Sequence, residues 1–138
     1  MSNRHFEEYK TATILMGNMS MGGQAHTDPV YAAGLSEIEF VVISGPLVSR
    51  SIECTLYGYT EEDAALGVDG EKIAFAKFEG DSADTGDKAF KFNLQCLPKY
   101  KKYDMWILNG DGSSNYIAVC AIMRAAHSNA TDETVVVI

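Results

Sequence analysis

A chain of 138 residues is the size of one domain with a single core, since a domain takes roughly 150 residues. Its 46% apolar and 22% charged residues, with 12 Gly and 3 Pro, exclude disordered, collagen-like and coiled-coil classes. Nineteen acids against eleven bases leave a net charge of -8, so a phosphate backbone or an anionic bilayer is repelled and neither nucleic acid nor membrane is an expected partner.

The N-terminal MSNRHFEEYK places acids where a signal peptide needs bases, and no apolar run approaches the ~20 residues that cross a bilayer. Residues 1–11 therefore read as an arm of a chain that folds in a cytoplasm. Met16, Met19 and Met21 then punctuate a glycine-rich stretch from Gly17 to Gly23, which is too rich in glycine for a helix and too apolar for an idle loop. Methionines in such a segment can adapt to an irregular partner surface or cap the domain's own core.

From residue 37 the pattern has period two. Ile38, Phe40 and Val42 alternate with Glu37, Glu39 and Val41, and Ile52, Cys54 and Leu56 alternate with Glu53, Thr55 and Tyr57. Both are half-buried strands. Thr60 to Leu66, with a Thr cap, first-turn acids and Ala-Ala-Leu, predicts one helical turn ending at Gly67. Ile73 and Phe75 against Lys72 and Ala74 predict a further strand, and Phe90, Phe92, Leu94 and Cys96 against Lys91, Asn93 and Gln95 give the cleanest two-sided pattern. Tyr103 to Leu108 and Tyr116 to Met123 are apolar runs expected of central strands covered on both faces, and Asn109-Gly110-Asp111-Gly112 between them predicts a hairpin. Glycine-containing breaks at 45–46, 67–70 and 80–86 fit a sandwich or barrel rather than βαβ units.

The expected fold is thus all-β, an antiparallel β-sandwich of jelly-roll type with one short helical turn, occupying residues 12–125 between the arm 1–11 and a C-terminal arm 126–138. Its core is expected to include Phe40, Ile52, Leu56, Phe90, Phe92, Ile107 and Val119. The tail ends on Val135, Val136, Val137 and Ile138, four apolar residues that either add a strand to their own sheet or dock on another chain.

Catalytic chemistry finds little support. His5, His26 and His127 are the available bases, but two lie near the ends and one in a glycine-rich loop. Cys54, Cys96 and Cys120 fall on core faces, form no CxxC pair and read as reduced structural thiols. No GxSxG, HExxH or phosphate-cradling glycine loop occurs. Glu79, Asp81, Asp84 and Asp87 could offer oxygens to calcium, yet their spacing matches no calcium loop, and a solvated acidic loop is the better reading. Lys99, Lys101 and Lys102 beside Tyr100 and Tyr103 read as lysines turned to water at a strand entrance. No catalytic, cofactor or metal residue is therefore assigned.

The succession of a glycine-rich N-terminal segment, the strand IEFVVIS, the strand IECTLYGYTEEDAAL and then FKFNLQCLPKYKKYDMWILNGDGSSNYIAVCAIM resembles the capsid cement, or decoration, proteins of tailed bacteriophages, in particular the jelly-roll cement proteins of the Bordetella phage type. The likeness covers roughly residues 12–125 and includes the Leu97-Pro98 step before a Tyr-containing strand. The chain departs from it in the N-terminal arm and after His127. The resemblance implies a non-enzymatic protein that assembles with itself and clamps major capsid subunits on the outer surface of a virion, after folding in the host bacterial cytoplasm. Phe6, Tyr9, Met16, Met19, Met21 and Val135 to Ile138 are the expected contacts with partner subunits. The rival reading is a carbohydrate- or ligand-binding jelly roll in which exposed Tyr57, Tyr59 and Trp106 form a platform.

Overall fold

The alternating segments become strands of two antiparallel sheets. A computed structural model describes residues 9–19, 23–47, 50–81, 83, 86–110 and 115–125. In chain order the strands are β1 (Tyr9–Met19), β2 (Gln24–His26), β3 (Val30–Tyr31), β4 (Leu35–Ser44), β5 (Ser51–Tyr59), β6 (Glu71–Glu79), β7 (Lys88–Gln95), β8 (Lys102–Asn109) and β9 (Asn115–Ala125). One sheet, sheet A, has the order β1-β9-β4-β7. The other, sheet B, has the order β2-β8-β5-β6, with β3 also on β8. β3 pairs with residues 102 and 103 of β8 and β2 with residues 106–108, so β2 and β3 are two halves of one interrupted edge strand. With those halves counted as one, the chain shuttles between the sheets in jelly-roll order.

Between the sheets lie the inward residues of the period-two faces. Ile38, Phe40 and Val42 of β4 meet Ile52, Cys54 and Leu56 of β5, Tyr103, Met105 and Ile107 of β8, and Ile117, Val119 and Ala121 of β9. Of the expected core residues, Phe40, Ile52, Leu56, Ile107 and Val119 are buried. The exceptions are Phe90 and Phe92, which are half-buried because β7 is an edge strand. Their rings close the open side of the sandwich against Phe78 of β6, at centroid distances of 3.7 Å (stacked) and 6.0 Å (edge-on).

Four local readings are corrected. A bulge between Leu56 and Tyr57 pairs Leu56 with Ala74 but Tyr57 with Lys72, which leaves Ile73 as the extra residue. Ile73 therefore packs on the core while Phe75, placed on its face by strict alternation, is 51% exposed. The segment Asn109-Gly110 does not open a hairpin, since β8 and β9 lie in different sheets. Asn109 instead stands opposite Ile52, and the Gly110 N–H donates to Ser51 O, so the turn-prone pair completes the β5–β8 ladder; residues 111–114 lie outside the described residues. The helical turn over Thr60 to Leu66 shrinks to a single closure, Ala64 N–H to Glu61 O, followed by a second turn in which Val68 and Asp69 both donate to Ala65 O. Ala-Ala-Leu is too short to propagate a helix, and the second turn passes through Gly67 at φ +78°. Finally, both faces are covered only on β8; β9 buries one face and turns the other out. β1 takes in residues 9–11 of the expected arm by pairing Tyr9 with Arg124.

Candidate functional site

The two outer faces of the sandwich differ in chemistry. On sheet B, β8 carries Lys102, Asp104 and Trp106 outward, and the segment 60–70 with β2 and β3 covers them. Asp104 is fully buried. The Tyr59 hydroxyl donates to Asp104 Oδ1 at 2.7 Å and accepts from the Gly67 N–H at 2.9 Å, which fastens the 60–70 segment to the sheet. Lys102 adds a second fastening by donating from Nζ to Ala64 O at 2.7 Å, with the Tyr59 ring 5.5 Å away. Lys102 is thus 4% exposed, not turned to water as the sequence predicts.

Burial raises the Asp104 carboxyl above its ordinary range, against the opposing pull of the Tyr59 hydroxyl, His26, Trp106 and Lys102. Burial likewise pushes the Tyr59 phenol up to about 12, with Asp104 adding to the shift. His26 Nδ1 lies 3.0 Å from Thr27 O and 3.8 Å from Asp104 Oδ2. Although a His-Asp pair can orient a general base, no hydroxyl or thiol among the described residues is hydrogen-bonded to this imidazole. Its ring instead stacks on Trp106 with centroids 4.8 Å apart, on strand β2 rather than in a loop.

The proposed aromatic platform is not assembled. Tyr59 is wholly buried, and Trp106 is flanked by His26 on one side and by the edge of Tyr57 at 6.5 Å. A third side faces Gly67, where even a Cβ would run into the indole. A shallow depression beside it is lined by Gln24, Glu53, Thr55, Tyr57 and the indole itself. Among the described residues no group of three or more His, Cys, Asp or Glu stands in position to hold a metal ion; Asp84 of the acidic loop lies outside them.

Sheet A presents the opposite character. Alternation turns Met16 of β1, Ala118 of β9, Ile43 of β4 and Ala89 of β7 outward, and the register places all four in one row. Met16 is 63% and Ile43 42% exposed. Tyr116, 45% exposed, continues the apolar surface over a depression lined by Ile43, Ser44, Gly45 and Ala118 and edged by Asp87, while Val41 and Cys120 form the next row along the face. Among the described residues this apolar row is the candidate contact surface.

Of the residues the sequence assigns to partner contacts, the structure places Met16 on this face. Tyr9 and Met19 are the first and last residues of β1, opposite Arg124 and Asn115, and their side chains are not among those described. Phe6, Met21 and Val135, Val136, Val137 and Ile138 lie outside the described residues. Sequence reasoning missed Ile43, Tyr116 and Ala118. The signal for Tyr116 and Ala118 was the unbroken apolar run in β9, and that for Ile43 the run Val41-Val42-Ile43 in β4; in an antiparallel sandwich such runs turn one apolar face outward unless a further layer covers it. The cysteines are free: Cys54 is buried, which pushes its thiol up to about 12, and Cys96 is shifted in the same direction by partial burial and by Glu37.

No protein family and no curated protein matches the chain in sequence. Its fold is similar to that of the PBSX exported protein XepA (TM-score 0.62, 7% identity, over 94% of this chain and 42% of XepA). It is also similar to the protein of infectious bursal virus-derived T=1 particles (TM-score 0.54, 14% identity, over 87% of this chain and 32% of that one). A third likeness is to the K3 cleaved adhesin domain of Lys-gingipain from Porphyromonas gingivalis W83 (TM-score 0.51, 9% identity, over 84% and 91%). The chain therefore spans less than half the length of the first two. At these identities the likeness is one of fold: the chain is a jelly-roll β-sandwich of the kind found in a viral capsid.

Proposed function

We propose that this chain is a non-enzymatic structural protein that self-associates and binds the outer surface of a phage capsid, stabilising contacts between major capsid subunits. The observation that carries the reading is the apolar outer face of sheet A on a jelly roll whose own core is complete without it. The buried polar groups Tyr59, Lys102 and Asp104 are engaged in fastening the 60–70 segment to sheet B. A decoration protein needs an outward surface, and weak contacts repeated by symmetry add up to a tight hold on a shell. The net charge of -8 suits work beside packaged DNA, because it keeps the chain off the phosphate backbone. The fold shared with the protein of T=1 particles is compatible with the same setting. Its place is accordingly the capsid surface of the virion, reached from the host bacterial cytoplasm, and its partners are the major capsid protein and other copies of itself.

The ligand-binding alternative has less support, because its platform requires an open face on Tyr59, which is buried, and the Trp106 ring is already stacked on His26. The test is to add the purified chain to shells assembled without it, then measure co-sedimentation and the temperature at which the shells come apart. Saturable binding that raises that temperature is the expected result. Absence of binding, with binding to a glycan array in its place, would overturn the reading.

A further inference from the structure

The row Met16–Ala118–Ile43–Ala89 reads large, small, large, small across β1, β9, β4 and β7. Turned by a two-fold axis parallel to the strands and midway between β9 and β4, the same row reads small, large, small, large. Each large side chain then stands over an alanine: Ile43 over Ala118 of the second copy and Met16 over Ala89 of the second copy, with both reciprocal contacts. Interdigitation of this kind is what brings two sheets to packing distance, about 10 Å apart.

The polar end of the face obeys the same symmetry. Glu37 of β4 and Arg124 of β9 are register neighbours in sheet A. The axis that sets β9 over β4 sets Arg124 of one copy over Glu37 of the other, twice. Between the two ends, Cys120 comes over Val41. Outward charges on the four strands are Glu37, Glu39, Lys91 and Arg124, two of each sign, on a chain that carries -8 overall. Two copies of so acidic a chain repel each other over most of their surface but not across this face. We infer that the outer face of sheet A is an isologous interface with a second copy of this chain, built on the Ile43–Ala118 contact across a strand-parallel two-fold axis. The inference deepens the proposed self-association and rests on that reading for its biological setting, though not for its test.

The pairing can be tested with two complementary variants, Ile43→Lys and Ala118→Asp, both at outward positions that leave the core untouched. Sedimentation velocity from micromolar to millimolar concentration should show the wild type moving from the 15.0 kDa chain mass to twice that value. Each variant alone should stay at the chain mass with an unchanged β-sheet circular dichroism spectrum. Their equimolar mixture should recover the doubled mass, because the ammonium introduced in one chain then meets the carboxylate introduced in the other while the reciprocal Ala118–Ile43 contact stays native. Several results would overturn the inference: a wild type that remains at the chain mass throughout, an oligomer that neither variant disturbs, or variants that dissociate but do not recover on mixing. Loss of shell binding by either variant with the wild-type mass profile intact would assign the face to the capsid protein, refuting the two-fold pairing while leaving the decoration role standing.

Discussion

Replacing Tyr59 with Phe keeps the buried ring and its contact with the Lys102 ammonium but removes the hydroxyl that joins Asp104 to the Gly67 N–H. Two groups lose a partner. Asp104 Oδ2 already makes no hydrogen bond, so the loss at Oδ1 strips a fully buried carboxyl of its 2.7 Å bond. That loss is worth about 1.5 to 3 kcal/mol for a bond to a charged group. The Gly67 N–H lies near the surface and is rescued in part by water, at about 0.5 to 1 kcal/mol. Removing the hydroxyl's own desolvation returns about 1 kcal/mol, so the expected deficit is about 1 to 3 kcal/mol at neutral pH. The sign of its pH dependence follows from Asp104. Its native pKa is raised above the ordinary 3.8, so native protein binds more protons than unfolded chain above that value, and stability falls as pH rises through the raised one. The Tyr59 bond opposes that rise; without it the window of falling stability extends to higher pH. Urea unfolding of both proteins between pH 4 and 8 should show a deficit that is largest at neutral pH and shrinks as pH falls through the window in which the carboxyl takes up its proton. A deficit independent of pH, or one below about 1 kcal/mol, would refute the account of this cluster.

Three further outcomes are expected. Phe40→Ala, at a wholly buried site, should cost about 3 to 5 kcal/mol in chemical denaturation, and Phe92→Ala distinctly less because its ring is half-buried at the sandwich edge; equal costs would show that the edge is closed more tightly than described. Gly67→Ala combines φ +78° with a Cβ directed into the Trp106 indole, so it should lower stability by about 2 kcal/mol or more and shift the tryptophan emission, and a silent substitution would contradict the packing of the 60–70 segment. Native-state thiol labelling should leave Cys54 unmodified at neutral pH, since burial holds its thiol protonated up to about 12, whereas rapid labelling of Cys54 would mean that the sandwich opens there.

Much of this fold is legible in the sequence because a two-layer sandwich translates burial directly into period two. Ile38, Phe40 and Val42, and again Ile52, Cys54 and Leu56, are found where alternation places them. What could not be read is where the ladder departs from regularity or where pairing is decided at long range. The bulge that turns Phe75 outward depends on register against β5, which no local pattern in β6 records. Asn109-Gly110 has the local chemistry of a hairpin, but β9 is drawn into sheet A by Ile117, Val119 and Ala121, whose burial needs β4 and β1 as neighbours. Lys102 and Tyr59 looked like surface residues because the short polar segment 60–70 folds over them, a contact invisible to periodicity. The outer face of sheet A was hidden for the opposite reason: an apolar run in β9 reads as a strand covered twice until the topology shows that nothing among the described residues lies on its far side.

The claim that this jelly roll is a capsid decoration protein is tested most directly by imaging shells incubated with it. Cryo-electron microscopy of shells assembled without the chain, then saturated with it, should reveal a jelly-roll density of this strand order on the outer surface, repeated with the icosahedral lattice, with β1, β9, β4 and β7 turned toward a neighbouring copy. Bare shells at saturating protein, or density confined to the interior, would contradict it.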